Sequence, residues 1–158
     1  MVKDSVRTGI SFGLTSAAIT TLGLMVGLHS ETNDKLVVIG GILTIALADA
    51  FSDALGIHLS EESKKDADGK HVWESTIATF VTKLCFALSF LVPVFLLPLG
   101  EAVLVSIIWG LSVLTLLSVR IAKTKGEKPL RVVAEHIGVA VFVIFATHYL
   151  GLWISTLG

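Results

Sequence analysis

Four polar or charged residues lie within otherwise apolar segments, and their side chains could handle a cation or a proton. Asp49 and Asp53 are four residues apart, which places both carboxylates on one face of a helix. Ser52 is next to Asp53, and Lys83 lies in a later apolar segment. Ionisable groups inside a membrane are costly, so they face a partner or a cavity and mark candidate ion or proton pathways. We therefore predict that these residues form one functional unit.

The positions of the polar residues along their segments predict that they share one depth. With a helical rise of ~1.5 Å per residue, the distances from the cytoplasmic end are roughly 10 Å for Asp53, 16 Å for Asp49, 13 Å for Lys83, 15 Å for Ser16, and 8 Å for Glu135 and His136. We expect them to form a polar layer in the cytoplasmic half of the protein.

Two interpretations of this layer are open. In the first, Lys83 pairs with one aspartate only to fix helix packing, although such buried pairs seldom add net stability. In the second, the other carboxylate is left to bind a proton or a transported ion, and Asp49 and Asp53 become candidate metal ligands. Lys83 is then a counter-ion, an internal substitute for a cation, or a lock between helices.

The composition predicts an all-α membrane protein. Of the 158 residues, 53% are hydrophobic and 16% are charged, below the ~25% charged residues of soluble domains. A transmembrane helix needs ~20 mostly apolar residues. Five segments qualify, within a single membrane domain that covers residues 1–158: residues 6–28, 36–59, 75–97, 102–121 and 130–154. Pro93 should kink the third helix, and residues 98–101 should form a tight turn.

The basic residues predict the orientation of the helices. Ten of the twelve fall on one side of the five segments, and Lys35 alone falls on the other. The side rich in Lys and Arg faces the cytoplasm, so we expect a cytoplasmic N-terminus and an external C-terminus. The ten are Lys3, Arg7, Lys64, Lys65, Lys70, Arg120, Lys123, Lys125, Lys128 and Arg131.

Several function classes lack support in the sequence. The net charge of −1 does not favour nucleic acid as a partner. The single cysteine, Cys85, cannot form an intramolecular disulfide or a Cys-rich metal site. Because no phosphate-binding loop and no nucleophile–base pattern is present, we expect neither an enzyme nor a cofactor.

Small residues recur at spacings of three and four along the first helix. In lipid, such a stripe lets helix backbones approach closely, either within one protomer or between two copies. The stripe consists of Gly9, Gly13, Ser16, Thr20, Gly23 and Gly27.

Two of these segments resemble the vacuolar iron transporter family. Residues 12–27 are similar to its first-helix motif, Gly-Leu-x-Asp-Gly-x-x-x-Thr-x-Gly, and residues 48–60 to its second-helix motif, Ala-Gly-Ala-x-Ser-Met-x-x-Gly-Glu-Tyr-x-Ser. Residues 90–93 and 130–152, the latter with Glu135 and Gly138, resemble later parts of the family. The resemblance implies five helices in a homodimeric carrier that exports divalent iron or manganese in exchange for protons.

The chain departs from this family at its ion path. The resemblance implies an Asp in the first helix and a Met and a Glu in the second, but these positions hold Ser16, Asp53 and Ile57, and Asp49 replaces a Gly. The family's cytoplasmic metal-binding helices are replaced by the short loop of residues 60–74. Loss of the thioether favours harder ions such as Mn²⁺ or Mg²⁺, and an added ammonium repels any dication.

The sequence thus predicts a multi-pass protein of the cell membrane that exports a divalent metal cation by proton exchange. The predicted path comprises Asp49, Asp53, Ser16, Ser52, Lys83 and Glu135, in a homodimer packed through the first helix. The alternatives are a membrane scaffold that transports nothing and a proton-coupled carrier of a small solute.

Overall fold

Five long apolar helices account for most of the protein. The computed structural model describes residues 4–157. Their order is α1 (Asp4–Thr32), α2 (Lys35–Glu62), α3 (Gly69–Ser89), α4 (Leu91–Leu96), α5 (Leu99–Lys125) and α6 (Pro129–Ser155), and no strand occurs in this part of the chain. Because α3 and α4 together form one span, Gly69–Leu96, five helical segments are long and apolar enough to cross a membrane. The predicted all-α, multi-pass architecture is confirmed, whereas Lys3, one of the predicted cytoplasmic charges, lies outside the described residues.

The third span breaks where the sequence predicts a kink. Pro93 has no amide hydrogen to donate to the carbonyl four residues earlier, and the helix is interrupted at Phe90. Phe90 is fully buried, so the break lies inside the bundle. The predicted turn over residues 98–101 is too long: Pro98 is the N-cap of α5, and Gly100 already lies in its first turn.

Local sequence accounts for the ends of the other helices. Asp34 is the N-cap of α2, and its carboxylate accepts hydrogen bonds from the amides of Leu36 (2.7 Å) and Val37 (3.3 Å). The α5 helix ends at Gly126, whose positive φ of 71° is the left-handed conformation that favours glycine. All five observed spans begin before the predicted apolar segments, because the helices include residues that flank those segments.

The small residues of α1 bring this helix into close contact with α3 and α6. A methyl group added at Gly9 would lie 2.5 Å from the carbonyl oxygen of Ser75, and one added at Gly13 would lie 2.9 Å from that of Thr79. Near the other end, a methyl group at Gly23 would lie 2.8 Å from Val143. Helix α1 is thus the centre of the bundle, in contact with α2, α3, α5 and α6.

This packing shows how the α1 stripe is used inside one protomer. Its glycines lie against α3 and α6 of the same chain. The homodimer packed through the first helix stays a prediction. The core of the bundle contains fully buried apolar side chains such as Leu22, Met25, Ile42 and Phe90.

Candidate functional site

The ammonium group of Lys83 is surrounded by oxygen atoms from two other helices. Its side chain is 1% exposed, and Nζ lies 2.7 Å from Ser16 Oγ and 2.6 Å from Asp49 Oδ2, and also contacts Asp53 Oδ2. An ammonium has three N–H groups, and three acceptors surround this one. The Asp49 contact is an ion pair without hydrogen-bond geometry, since its Oδ2 has no hydrogen-bond partner among the described residues. We call Ser16, Asp49, Asp53 and Lys83 the charge cluster.

The helices place these four residues together for simple reasons. Asp49 and Asp53 occupy successive turns of α2, on the side of the helix that packs against α3. Gly13 lets α1 approach α3 so closely that a methyl group there would lie 3.2 Å from the amide nitrogen of Lys83. Ser16, one turn further along α1, therefore reaches the ammonium.

The acidic and basic groups of the charge cluster are unequal in number. Two carboxyl groups face one amino group, so the acidic groups outnumber the basic one. The Lys83 side chain is buried, whereas 23% of the Asp49 side chain and 18% of the Asp53 side chain are exposed. Charged groups in membrane-spanning helices face a partner or water. The cluster therefore has a closed side at Lys83 and an accessible side at the carboxylates, where a proton or a cation could bind.

Two residues of the predicted pathway lie outside the charge cluster. Ser52 is exposed on the outer side of α2. Glu135 accepts a hydrogen bond of 3.0 Å from Arg131 Nε, and its side chain is 58% exposed. Glu135 therefore does not join the charge cluster, because similar depth does not fix the direction in which a helical side chain points, and its place in the ion path stays a prediction. His136 likewise contacts Ser118 Oγ, at 2.7 Å.

The donor set bears on the predicted metal role of Asp49 and Asp53. Carboxylate and hydroxyl oxygens suit hard cations, and the charge cluster offers both kinds. Within residues 4–157, however, no group of three His, Cys, Asp or Glu side chains is placed to hold a metal ion. The ammonium also lies between the two carboxylates, so a dication can bind both only if Lys83 moves away or loses its proton.

The outer face of α2 carries a feature that the sequence analysis missed. Every fourth residue is small and exposed, and a methyl group added at Gly40 or Gly56 would have no atom within 4 Å. The signal is present in the sequence as a run with a spacing of four. We call this run the α2 stripe: Gly40, Thr44, Ala48, Ser52, Gly56 and Ser60.

No protein-family model matches the sequence, and no curated protein matches it. The resemblance to the vacuolar iron transporter family therefore stays a prediction drawn from its motifs.

Proposed function

We propose that this protein is a proton-coupled cation carrier whose central element is the Asp49–Asp53 pair. The observation that carries the proposal is the ratio of two carboxylates to one ammonium within a membrane-spanning bundle. A purely structural pair needs one carboxylate, and a second adds a desolvation cost with no partner of its own. The second carboxylate has a function if the pair binds protons and cations alternately.

Charge balance suggests how protons and cargo would exchange. Two ionised carboxylates and one ammonium carry −1 in total. If a dication binds both carboxylates while Lys83 releases one proton, the total changes from −1 to zero, so the loaded site carries no net charge in the low-dielectric interior. Lys83 then serves as the internal cation that holds the site when cargo is absent. Unloading would reverse the step, because a proton returns to Lys83 as the dication leaves.

The direction and the cargo of this proposal rest on the sequence. The family resemblance favours export of divalent iron or manganese, and the basic residues favour a cytoplasmic N-terminus in the cell membrane. The all-oxygen donor set favours manganese over softer metals.

We place the homodimer contact of this carrier on the α2 stripe. Small exposed residues permit close helix approach in lipid, and this stripe is free of contacts at Gly40 and Gly56. Asp49 and Asp53 flank it on the same helix, so a second copy there would cover their partly exposed carboxylates. An interface along α2 would therefore bury the part of the charge cluster that is exposed in one protomer.

A membrane scaffold is the second candidate, and one observation favours it. Lys83 donates hydrogen bonds to Ser16 and Asp53 and forms an ion pair with Asp49, which is the arrangement expected of a lock between α1, α2 and α3. In this alternative the cluster holds the helices together and transports nothing.

Flux measurements in liposomes distinguish the candidates. Purified protein is reconstituted with a pH-sensitive dye inside, and Mn²⁺, Fe²⁺, Mg²⁺ and Ca²⁺ are added in turn. We expect metal-dependent proton flux in the native protein, loss of flux in Asp53→Asn, and native flux in the control Ser112→Ala, since Ser112 is exposed on α5. Absence of flux with every cation, in protein that is folded and inserted, would reject the carrier. Proton flux that depends on an organic solute instead of a metal would identify the protein as a small-solute carrier.

A further inference from the structure

A groove lined by basic and hydroxyl side chains lies at the end of the bundle where α1 begins and α5 ends. One cavity of about 470 Å³ is lined by residues that include Arg7, Ser11, Lys125 and His136. A second cavity of about 130 Å³ shares Arg7 and Ser11 with the first and adds Arg120. The two cavities adjoin at these shared residues, and we call them together the groove.

The groove concentrates positive charge. Arg7, Arg120 and Lys125 contribute three cations, and Asp4 is the one acidic residue in its walls. The other basic residues at this end of the bundle are differently placed. Lys64, for example, is 2.6 Å from the carboxylate of Glu61.

The side chains that carry this charge are held in position. Arg7 Nη2 donates a hydrogen bond of 3.2 Å to Thr124 Oγ1, which fixes the guanidinium between α1 and α5. The His136 ring is held by Ser118 at 2.7 Å. Arg120, by contrast, makes no side-chain hydrogen bond or ion pair with any other described residue.

The groove also changes character along its length. Its outer part carries the charged side chains, whereas the inner part has the apolar walls of Phe12 and Ile121 beside the uncharged hydroxyl groups of Ser11 and Thr15. From Arg7 to Thr15 the wall formed by α1 extends for roughly 12 Å, from the membrane surface towards its apolar interior. An anionic head group in the outer part and acyl chains in the inner part match this gradient. A free phosphate ion would make no favourable contact with the apolar walls of the inner part.

We infer that this groove is a binding site for one anionic phospholipid, whose phosphate contacts Arg7, Arg120 and Lys125. Basic pockets between membrane helices on the cytoplasmic side are suited to such head groups. The charge-assisted hydrogen bonds that a guanidinium gives to phosphate supply the specificity. This inference is independent of the proposed transport function, because it uses no residue of the charge cluster.

The test compares lipid retention by native mass spectrometry. Protein in neutral detergent is mixed with phosphatidylglycerol or phosphatidylcholine, and bound lipid is counted. We expect selective retention of one phosphatidylglycerol, weakened about fivefold for each basic residue removed. Arg7→Gln with Lys125→Gln should therefore weaken binding about thirtyfold. The control Lys64→Gln with Lys65→Gln removes the same charge outside the groove and should bind as the native protein does.

One further variant and a competition with inorganic phosphate complete the test. Arg120→Gln breaks no hydrogen bond or ion pair of the described residues, so it tests the site even if the Arg7 variant is unstable. Equal retention of both lipids, or equal losses in the groove and control variants, would overturn the inference. Displacement of phosphatidylglycerol by inorganic phosphate at equal concentration would also overturn it, in favour of a site for free anions.

Discussion

The interior of the bundle and its outer surface contain the same types of residue with different consequences. Inside, Lys83 joins Asp49 and Asp53 across two helices with 1% of its side chain exposed. Outside, Arg131 and Glu135 form a pair within one helix, with 79% and 58% of their side chains exposed. Glycines divide in the same way, since Gly9 touches a neighbouring backbone and Gly56 touches nothing. Location, more than residue type, therefore decides what each residue contributes.

This difference arises from solvation. A surface ion pair that is broken exposes both charges to water, which solvates them at little cost. The two carboxylates of the charge cluster have no such alternative once the ammonium is gone. The predictions below test this contrast between interior and surface.

The largest effect is expected for Lys83→Met. This change removes the only cation of the charge cluster and leaves two carboxylates close together in a membrane-spanning bundle. We expect a loss of about 3–5 kcal/mol in the free energy of unfolding, measured by denaturant titration in micelles. The control is Lys65→Met, because Lys65 is exposed and should give native stability. A Lys83 variant as stable as the control would show that the cluster makes no energetic contribution.

The next effect is a coupling energy between Lys83 and Asp53. Adding Asp53→Asn to Lys83→Met removes the uncompensated charge, so the double variant should be more stable than Lys83→Met alone. For groups in contact the coupling is typically about 0.5–3 kcal/mol, obtained from a double-mutant cycle of unfolding free energies. Proton flux should stay absent in the double variant, because the carboxylate that carries proton or cargo is missing.

Two results would contradict this prediction. Additive changes in stability would mean that the two residues do not interact. Native flux in the double variant would mean that Asp53 is dispensable for transport, which favours the membrane scaffold.

The sequence predicted the charge cluster better than it predicted the helix surfaces. The spacing of Asp49 and Asp53, and depths counted along each span, brought Ser16, both aspartates and Lys83 to one level, and the structure places them in contact. The break near Pro93 was equally predictable, because a missing amide hydrogen is a property of one residue.

Direction around a helix was harder to predict, because it depends on which neighbours pack against each face. Glu135 has the depth of the polar layer but points to the surface. The α1 glycines were consistent with contacts inside or between protomers, and only the positions of α3 and α6 show the contacts inside one protomer. The weak separation of polar and apolar residues around membrane helices explains this limit, since lipid and protein interior are both apolar.

A smaller effect separates the two classes of glycine. Gly9→Ala forces a methyl group against the Ser75 carbonyl and should cost about 1–3 kcal/mol of unfolding free energy, as overpacking does. Gly56→Ala meets no atom within 4 Å and should leave the stability of the protomer unchanged or slightly raised.

Association offers a second measurement at Gly56. If the α2 stripe is the dimer contact, Gly56→Leu should reduce the dimer fraction in nanodiscs, measured by single-molecule photobleaching. Leu at Gly100, which is exposed in α5 and equally free of neighbours, is the matched control. A dimer that is insensitive to Gly56→Leu would exclude this stripe as the interface.

The smallest effect is expected for Glu135→Gln, which breaks the surface ion pair. Arg131 and Glu135 are neighbours on one helix turn near the start of α6, and both side chains are exposed. Water replaces the lost partner of Arg131, so the unfolding midpoint should differ from the native value by no more than the error of the measurement. Flux should also be native, because Glu135 makes no contact with the charge cluster in the described part of the chain. Reduced flux with unchanged stability would return Glu135 to the ion path, where the depth argument first placed it, and would imply a conformation in which α6 turns this carboxylate inward.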